Sequence, residues 1–316
     1  MNIKTYKGFD FMIANKFLVG HDDEGERIDK YLALHNDEMS RSRIRKLLDD
    51  GKITVNGKVR KPNYKIVTGD YVKLDIPDPV TVDIWPQDIP LDIVYEDEDI
   101  IVINKQKGLV VHPAPGHYND TLVNALMFHC KDNLSGINGE LRPGIVHRID
   151  MNTTGLLVCC KNDYAHNFIA EQFKEHSGTR RYQAIVYNCF KNDEGTIDAP
   201  IGRDVRDRKH MAINYTNGKD AVTHYKVLER FNNFTHIECR LETGRTHQIR
   251  VHMASINHPL LGDNVYGPAK CPFTLQGQTL HAGVLGFVHP RTKEYMEFER
   301  PVPEYFQNLL EILRNK

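Results

Sequence analysis

Apolar residues in the first 80 positions follow two periods. After Gly25, residues Ile28, Tyr31, Leu32 and His35 recur three and four apart, which predicts a helix. A second helix is predicted to open at Ser40, whose hydroxyl can cap the orphan amides. Ile44, Leu47 and Leu48 form its buried stripe and Gly51 its left-handed stop. Period two then takes over. Ile53-Thr54-Val55 and Lys58-Val59-Arg60 flank Asn56-Gly57, a pair that tolerates positive φ at both positions and so predicts a two-residue hairpin. Val72, Leu74 and Ile76 alternate with polar neighbours, which predicts a strand over 71–76.

Beyond residue 90 short β-type runs dominate, at 93–95, 100–103, 183–187, 221–228, 236–241 and 295–298. Helical spacing appears at 121–130, 164–176, 246–256 and 304–313. Strands and helices mixed in this way predict an α+β fold. The expected organisation is a lead at 1–13, a small unit at 14–77, a linker at 78–90 and a large unit at 91–316.

Charge sharpens that division. The 41 basic and 42 acidic side chains nearly cancel over the 316 residues, but they are not mixed evenly. Ser40 to Pro62 carries eight cations against Asp49 and Asp50, a local +6, whereas Asp83 to Ile103 carries seven carboxylates and no cation. The reversal falls beside Pro77, Pro79, Pro86 and Pro90. The tetrad Glu96-Asp97-Glu98-Asp99 reads as a solvated hairpin tip. On the first unit, a helix beginning Arg41-Ser42-Arg43 and a basic hairpin would make a positive, partly rigid surface suited to phosphates, although a charge run can also be merely a solvated face.

With 40% apolar and 26% charged residues the chain is that of a folded protein, not a disordered or collagenous one. The longest apolar stretch, Gly155 to Cys160, is far short of a membrane span, and the N-terminus lacks a signal-peptide pattern. Six cysteines without a CxxC pair predict buried reduced thiols. Together these features predict a cytoplasmic protein, and the lack of an apolar heptad predicts a monomer. No GxxxxGK[ST], GxGxxG or HExxH occurs, so no cofactor and no metal are expected. His247 and His252 are five apart, the wrong interval for two ligands on one helical face, and read as packing or hydrogen-bonding residues.

Three segments carry candidate chemistry. Pro143 to Val158 places the polar island His147-Arg148-Ile149-Asp150 between two apolar strands. Arg148 and Asp150, two apart, would point to one side of an extended segment, and a Thr153-Thr154-Gly155 turn would let the backbone come close. An ordinary ion pair at a strand end is the competing reading. In Leu241 to Met253 a strand becomes a helix, so Gly244 and Arg245 are expected at the helix N-terminus. There they would favour an anion, whether phosphate or carboxylate, or simply cap the loop. Arg180-Arg181-Tyr182 opens a strand, where Tyr182 could stack on a base, take a proton or only fill the sheet.

The order Ser40-Arg41-x-x-Ile44-x-x-Leu47-Leu48-x-x-Gly51, then Ile53-x-Val55-Asn56-Gly57-Lys58, resembles the alpha-L RNA-binding domain first seen in a small-subunit ribosomal protein. That resemblance implies structured RNA as partner, with Arg41, Ser42, Arg43 and Lys46 as contacts. Residues His147 to Leu157 resemble the His-Arg-Leu-Asp-x-x-Thr-Ser-Gly-Leu-Leu motif of the RluA/RluD-type family of pseudouridine synthases. So do Gly244 to His252, Gly262-Asp263-x-x-Tyr266-Gly267, Leu280-His281-Ala282, His289-Pro290 and Lys105-x-x-Gly108-x-x-x-His112-Pro113. Ile149, Thr154 and Asn188 depart from the pattern. The resemblance implies a mainly antiparallel catalytic sheet and isomerisation of uridine in RNA to its carbon-glycoside isomer after the base is flipped out.

By motif position Asp150 would be the essential carboxylate, with Arg245 paired to it. Tyr182 would lie against the uracil and help remove the carbon-5 proton. Leu280 would pack on the base, Arg148 would occupy the vacated space, and His147 and His247 would bind substrate. The His112 to Gly116 stretch favours ribosomal RNA, with transfer RNA the alternative. A non-catalytic ribosome-assembly factor and a hydrolase using Asp150 are the rival readings.

Overall fold

The computed structural model describes residues 16–36, 41–75, 84–113, 118–131, 133–137, 142–204, 207 and 210–315. The lead at 1–13, Ser40 as a cap, Ile76 as a strand end, much of the expected linker and residues 114–116 lie outside them. The chain divides into two compact units, 1–81 and 82–316.

In the first unit β1 (Lys16–Leu18), β2 (Ile53–Val55), β3 (Lys58–Val59) and β4 (Tyr71–Leu74) form an antiparallel sheet in the order β1-β4-β2-β3. Helices α1 (Ile28–Leu34) and α2 (Arg41–Asp49) accompany it. Ile28, Tyr31, Leu32, Ile44 and Leu48 share one core with Ile53, Val55, Val72 and Leu74, so helical and strand periods converge on a single apolar centre. Asn56, Gly57 and Gly51 all adopt positive φ, as their places in turn and stop require.

The second unit is built on a nine-stranded sheet among the described residues. Its strands are β5 (Ile93–Glu96), β6 (Ile100–Lys105), β7 (Thr154–Cys160), β8 (Thr179–Tyr187), β9 (Glu194–Asp198), β12 (Val222–Arg230), β13 (Phe234–Leu241), β14 (Leu280–Val288) and β15 (Tyr295–Glu299). Strands β10 (Ile201–Arg203) and β11 (Met211–Ile213) form a separate hairpin. The order is β5-β6-β7-β14-β8-β13-β12-β9, with β15 on β14, and every pairing but β7 with β14 is antiparallel. Helices α3 (Leu122–Cys130), α4 (Asp163–Lys174), α5 (Gln248–Ser255) and α6 (Glu304–Arg314) complete the unit.

The central strands are apolar without alternation because both faces are covered. In β6, Ile101 and Ile103 enter the core shared with α3 and α5, whereas Ile100 and Val102 enter the core shared with α4. Each helix starts where local chemistry permits it. Thr121 and Asn124 form a reciprocal capping box on α3, and the Asn162 side chain accepts the Ala165 amide at 2.9 Å on α4.

Gly155 lies inside β7 rather than in a turn. Its φ is +111°, and an added Cβ would collide with the Ala282 backbone of β14. This close approach joins the strand after Asp150 to the strand carrying Leu280. Gly155→Ala is therefore expected to cost ~2–4 kcal/mol, since neither backbone can yield without opening the sheet. A urea midpoint within error of wild type would refute this.

Three further expectations need correction. Residues 143–146 form only an isolated bridge, Ile145 to Cys159, because a loop rather than a strand carries the chain to Asp150. The acidic hairpin tip is only partly solvated: Asp99 is buried and takes two hydrogen bonds from Arg291, at 2.6 and 2.9 Å. Of the six cysteines, Cys189 and Cys271 are exposed.

Candidate active site

Asp150 sits in the loop leading into β7, where the Thr153 amide donates to its carbonyl at 3.0 Å and closes the turn. Lys105, at the end of β6, is buried and donates to the carbonyls of Gln106, Leu109 and Met151 at 2.8, 2.9 and 3.0 Å. The last of these bonds fixes the residue next to Asp150. Burial pushes the Lys105 ammonium down to about 7, with Asp150 opposing the fall.

The Asp150 side chain retains 17% of its exposure, so it faces an opening while remaining partly desolvated. Arg250 Nη1 donates to its Oδ2 at 2.9 Å. The same guanidinium donates through Nε and Nη2 to both oxygens of Asp263, at 2.7 and 2.9 Å. Asp263 in turn accepts the Val265 and Tyr266 amides. Burial works against charge on both partners, but the paired geometry wins: Arg250 is raised above, and Asp263 held below, its ordinary range. The guanidinium is thus locked by one carboxylate and offers its remaining edge to the other.

This replaces the expected Arg245–Asp150 pair. Arg245 precedes α5 rather than starting it, because Gln248 begins the helix, and Arg245 Nε donates to the Asp220 carbonyl at 2.9 Å. The loop before the helix is tied by Gln248, whose Oε1 accepts from Thr243 Oγ1 at 2.8 Å and from the Arg245 amide at 2.9 Å. Arg250 lies within α5, whereas Arg245 lies outside it.

Arg148, Asp150, Tyr182, Arg245, His247 and Leu280 all border one hollow of about 60 Å³. Four stretches far apart in the chain supply them. A second, roomier hollow of about 350 Å³ shares Arg148, Asp150, His247 and Arg250, so Asp150 stands between two recesses. Arg148 is exposed and lies 3.4 Å from the buried His112, which burial, together with Arg142 and Arg148, lowers to about 4 and so keeps neutral. Asp150 and Arg148 do not form the ion pair of the competing reading. Tyr182 is buried, and burial raises its phenol, so the ring is uncharged at neutral pH.

His147 does not border the hollow. Its Nε2 accepts the Val158 amide at 3.0 Å and its ring packs on Phe173, so burial holds it neutral, down to about 3. Its role here is to brace β7. Similarly, His252 bonds Thr223 Oγ1 and the Ala199 carbonyl within the core. Asn188, the departure from the family pattern, has φ +66°, a conformation asparagine tolerates better than most side chains.

In the first unit Asp29 is buried and receives Arg27 on both oxygens and Arg41 at 3.1 and 3.2 Å, with Arg45 3.8 Å away. Burial tends to raise this carboxylate, but Arg27 and Arg41 hold it below its usual range. Arg41, half exposed, is therefore oriented from behind. Arg43 and Lys46 are exposed on the same helix, and Ser42 lies between Arg41 and Arg43.

Two side-chain clusters could each offer three ligand atoms to a metal: Glu96 with His129 and Cys130, and Asp97 with Asp99 and His289. Neither includes a residue bordering the hollows. Each already binds a protein cation, Lys161 on Glu96 and Arg291 on Asp99. No helix among the described residues is long and apolar enough to cross a membrane.

Residues 99–255 match the family model of RNA pseudouridylate synthase, and residues 26–72 match the S4 domain. The chain is 55% identical to the uncharacterized RNA pseudouridine synthase YlyB of Bacillus subtilis, over 93% of this chain and 96% of that one. It is 48% identical to the ribosomal large subunit pseudouridine synthase D of Zymomonas mobilis, over 92% and 94%. Its fold is similar to that of human RNA pseudouridylate synthase domain containing 1, with a TM-score of 0.55 and 24% identity over 76% of this chain and 98% of that one. The chain belongs to the RNA pseudouridylate synthase family, isomerases acting on RNA, and carries an S4 domain ahead of its catalytic unit.

Proposed function

We propose that this protein isomerises uridine to pseudouridine in large-subunit ribosomal RNA, with Asp150 as the essential carboxylate. The observation that carries the reading is the Asp150 carboxylate itself: partly desolvated, ionically held by Arg250, and bordering the same hollow as Tyr182 and Leu280. Substrate class rests on the names of relatives such as that of Zymomonas mobilis.

The reaction breaks the N1–C1′ bond, turns the uracil and forms C5–C1′. The carbon-5 proton leaves and N1 gains one, so nothing is consumed. Asp150 starts the sequence as nucleophile or as base. Tyr182 and Leu280 hold the uracil between aromatic and aliphatic walls, and the Tyr182 oxygen helps remove the carbon-5 proton. A base must leave its stack to reach Asp150, at a cost of a few kcal/mol. Arg148, exposed and held by one long contact, is the side chain free to fill the vacated space. Arg245 and His247 meet the flanking phosphate and sugar from the other walls of the hollow, while Arg41, Ser42, Arg43 and Lys46 hold structured RNA outside it. In this reading the protein acts as a cytoplasmic monomer.

The test is tritium release from transcripts labelled at carbon 5 of uridine. Wild-type protein is expected to release tritium from large-subunit ribosomal RNA and not from transfer RNA, with no added cofactor or metal. Release from transfer RNA alone would move the substrate, and tight salt-sensitive binding without release from either would return the assembly-factor reading.

A further inference from the structure

Tyr266 connects the catalytic hollow to the β10–β11 hairpin through a single oxygen. The Met211 amide, at the start of β11, donates to that oxygen at 3.0 Å, and His247 Nδ1 lies 2.8 Å from it. The amide occupies a lone pair, so the phenolic hydrogen is free to point at Nδ1. A ring nitrogen that accepts carries no hydrogen, which places the proton of a neutral imidazole on Nε2. That is the nitrogen facing Asp150, 3.8 Å from Oδ1. His247 also has φ +57°, a left-handed backbone conformation that a non-glycine residue adopts only when its surroundings enforce it. The ring of Tyr266 lies against the guanidinium carbon of Arg250, 5.1 Å from its centroid, so one side chain touches both neighbours of Asp150.

We propose that the Tyr266 hydroxyl is a positioning group for the reaction: it holds His247 as the neutral Nε2–H tautomer facing Asp150 and anchors that ring to the hairpin. The proposal deepens the reading of Asp150 as the reacting carboxylate and rests on it. Arg250 already supplies a full positive charge at Oδ2. A neutral N–H facing Oδ1 from 3.8 Å presents a dipole to the second oxygen without adding another cation, which would draw the carboxylate away from substrate.

The surroundings of His247 agree. Burial disfavours its charged form most, and Arg250 and Arg148 act in the same direction, while Asp150 and Asp263 oppose them; the net shift is downward. His210 is the other titratable ring nearby, 6.2 Å from the Tyr266 ring. A donor bonded to the bare nitrogen adds to the downward side, because it stabilises the unprotonated ring.

Tyr266→Phe keeps the ring on Arg250 and removes only the hydroxyl. The first measurement is nitrogen-15 NMR of labelled histidine in the full chain. Wild type is expected to show His247 as the Nε2–H tautomer, and the variant a mixture of tautomers with a higher protonation midpoint. With labelled RNA, the variant should lose kcat about tenfold with KM within about twofold, because a positioning contact made in the reacting complex has gone. On the acid side its activity should begin to fall at higher pH than that of wild type, because the released ring protonates more readily. Tyr266→Phe combined with His247→Gln should be no slower than His247→Gln alone.

A Nδ1–H tautomer in wild type, or an unchanged tautomer in the variant, overturns the proposal. So does a loss spread over kcat and KM with a pH profile parallel to wild type, which would make Tyr266 a packing residue. Wild type that releases no tritium refutes the broader reading of Asp150 instead, and the NMR arm still decides the tautomer.

Discussion

Asp150→Asn is expected to bind large-subunit ribosomal RNA within about twofold of wild type and to lose ~10³-fold or more in single-turnover rate. The amide has the size of the carboxylate, and Arg250 stays seated because Asp263 holds it through two bonds of its own. The fold and the hollow are therefore retained while the charge is removed. Neither a nucleophile nor a base can be made from an amide nitrogen at neutral pH, so every route opened by Asp150 closes together. Tritium release and filter binding on the same preparations check this. A variant that retained a tenth of the wild-type rate would place the chemistry elsewhere in the hollow.

Arg250→Gln should have the larger effect on stability. It leaves Asp263, whose side chain is fully buried, without its cation, and breaking such a pair from one side typically costs ~3–5 kcal/mol. The Val265 and Tyr266 amides alone remain to solvate it. The pH dependence has a definite sign. In wild type Asp263 is depressed below its ordinary range, so it stabilises the fold above the unfolded carboxylate value, near 4, and that contribution fades as pH falls through its folded value. Without Arg250 burial pushes the folded value up, so that stabilisation is lost, and the deficit against wild type should narrow as pH falls and Asp263 takes up a proton. Urea midpoints between pH 4 and 8 test both parts. Equal midpoints for Arg250→Gln and Arg245→Gln would contradict the assignment, because Arg245 lies partly exposed on a carbonyl.

The contrast between these two arginines shows how far the site could be read without coordinates. Asp150, Tyr182 and Leu280 are legible from their segments and from family resemblance, and they do border one hollow. The partner of Asp150 was not, because Gln248, which starts α5, is held both by the preceding loop and by Val222 and Thr223 of distant β12, and Arg245 is left off the helix. His147 was misplaced for a related reason. A histidine inside a motif reads as chemical, but this one meets its hydrogen-bond donor only when β7 folds beside it. Strand β14 escaped the pattern reading altogether. Buried almost throughout and interrupted by Gly283 and Gly286, it has neither alternation nor strong strand-forming composition.

What the sequence determined by itself is local: helical and strand periods, the Asn56-Gly57 turn, the glycine stops, the charge reversal between the two units and the polar segment that carries Asp150. Periodicity and turn chemistry act between residues a few positions apart, so they survive in one dimension. The tertiary structure alone decided which cation meets Asp150, that Asp263 locks that cation, that Gly155 must lie against Ala282, and that Tyr266 joins His247 to a distant hairpin. Each of these depends on groups from separate strands and loops meeting at hydrogen-bond distance, where burial strengthens charge and hydrogen bonding alike, and no spacing along the chain encodes that meeting.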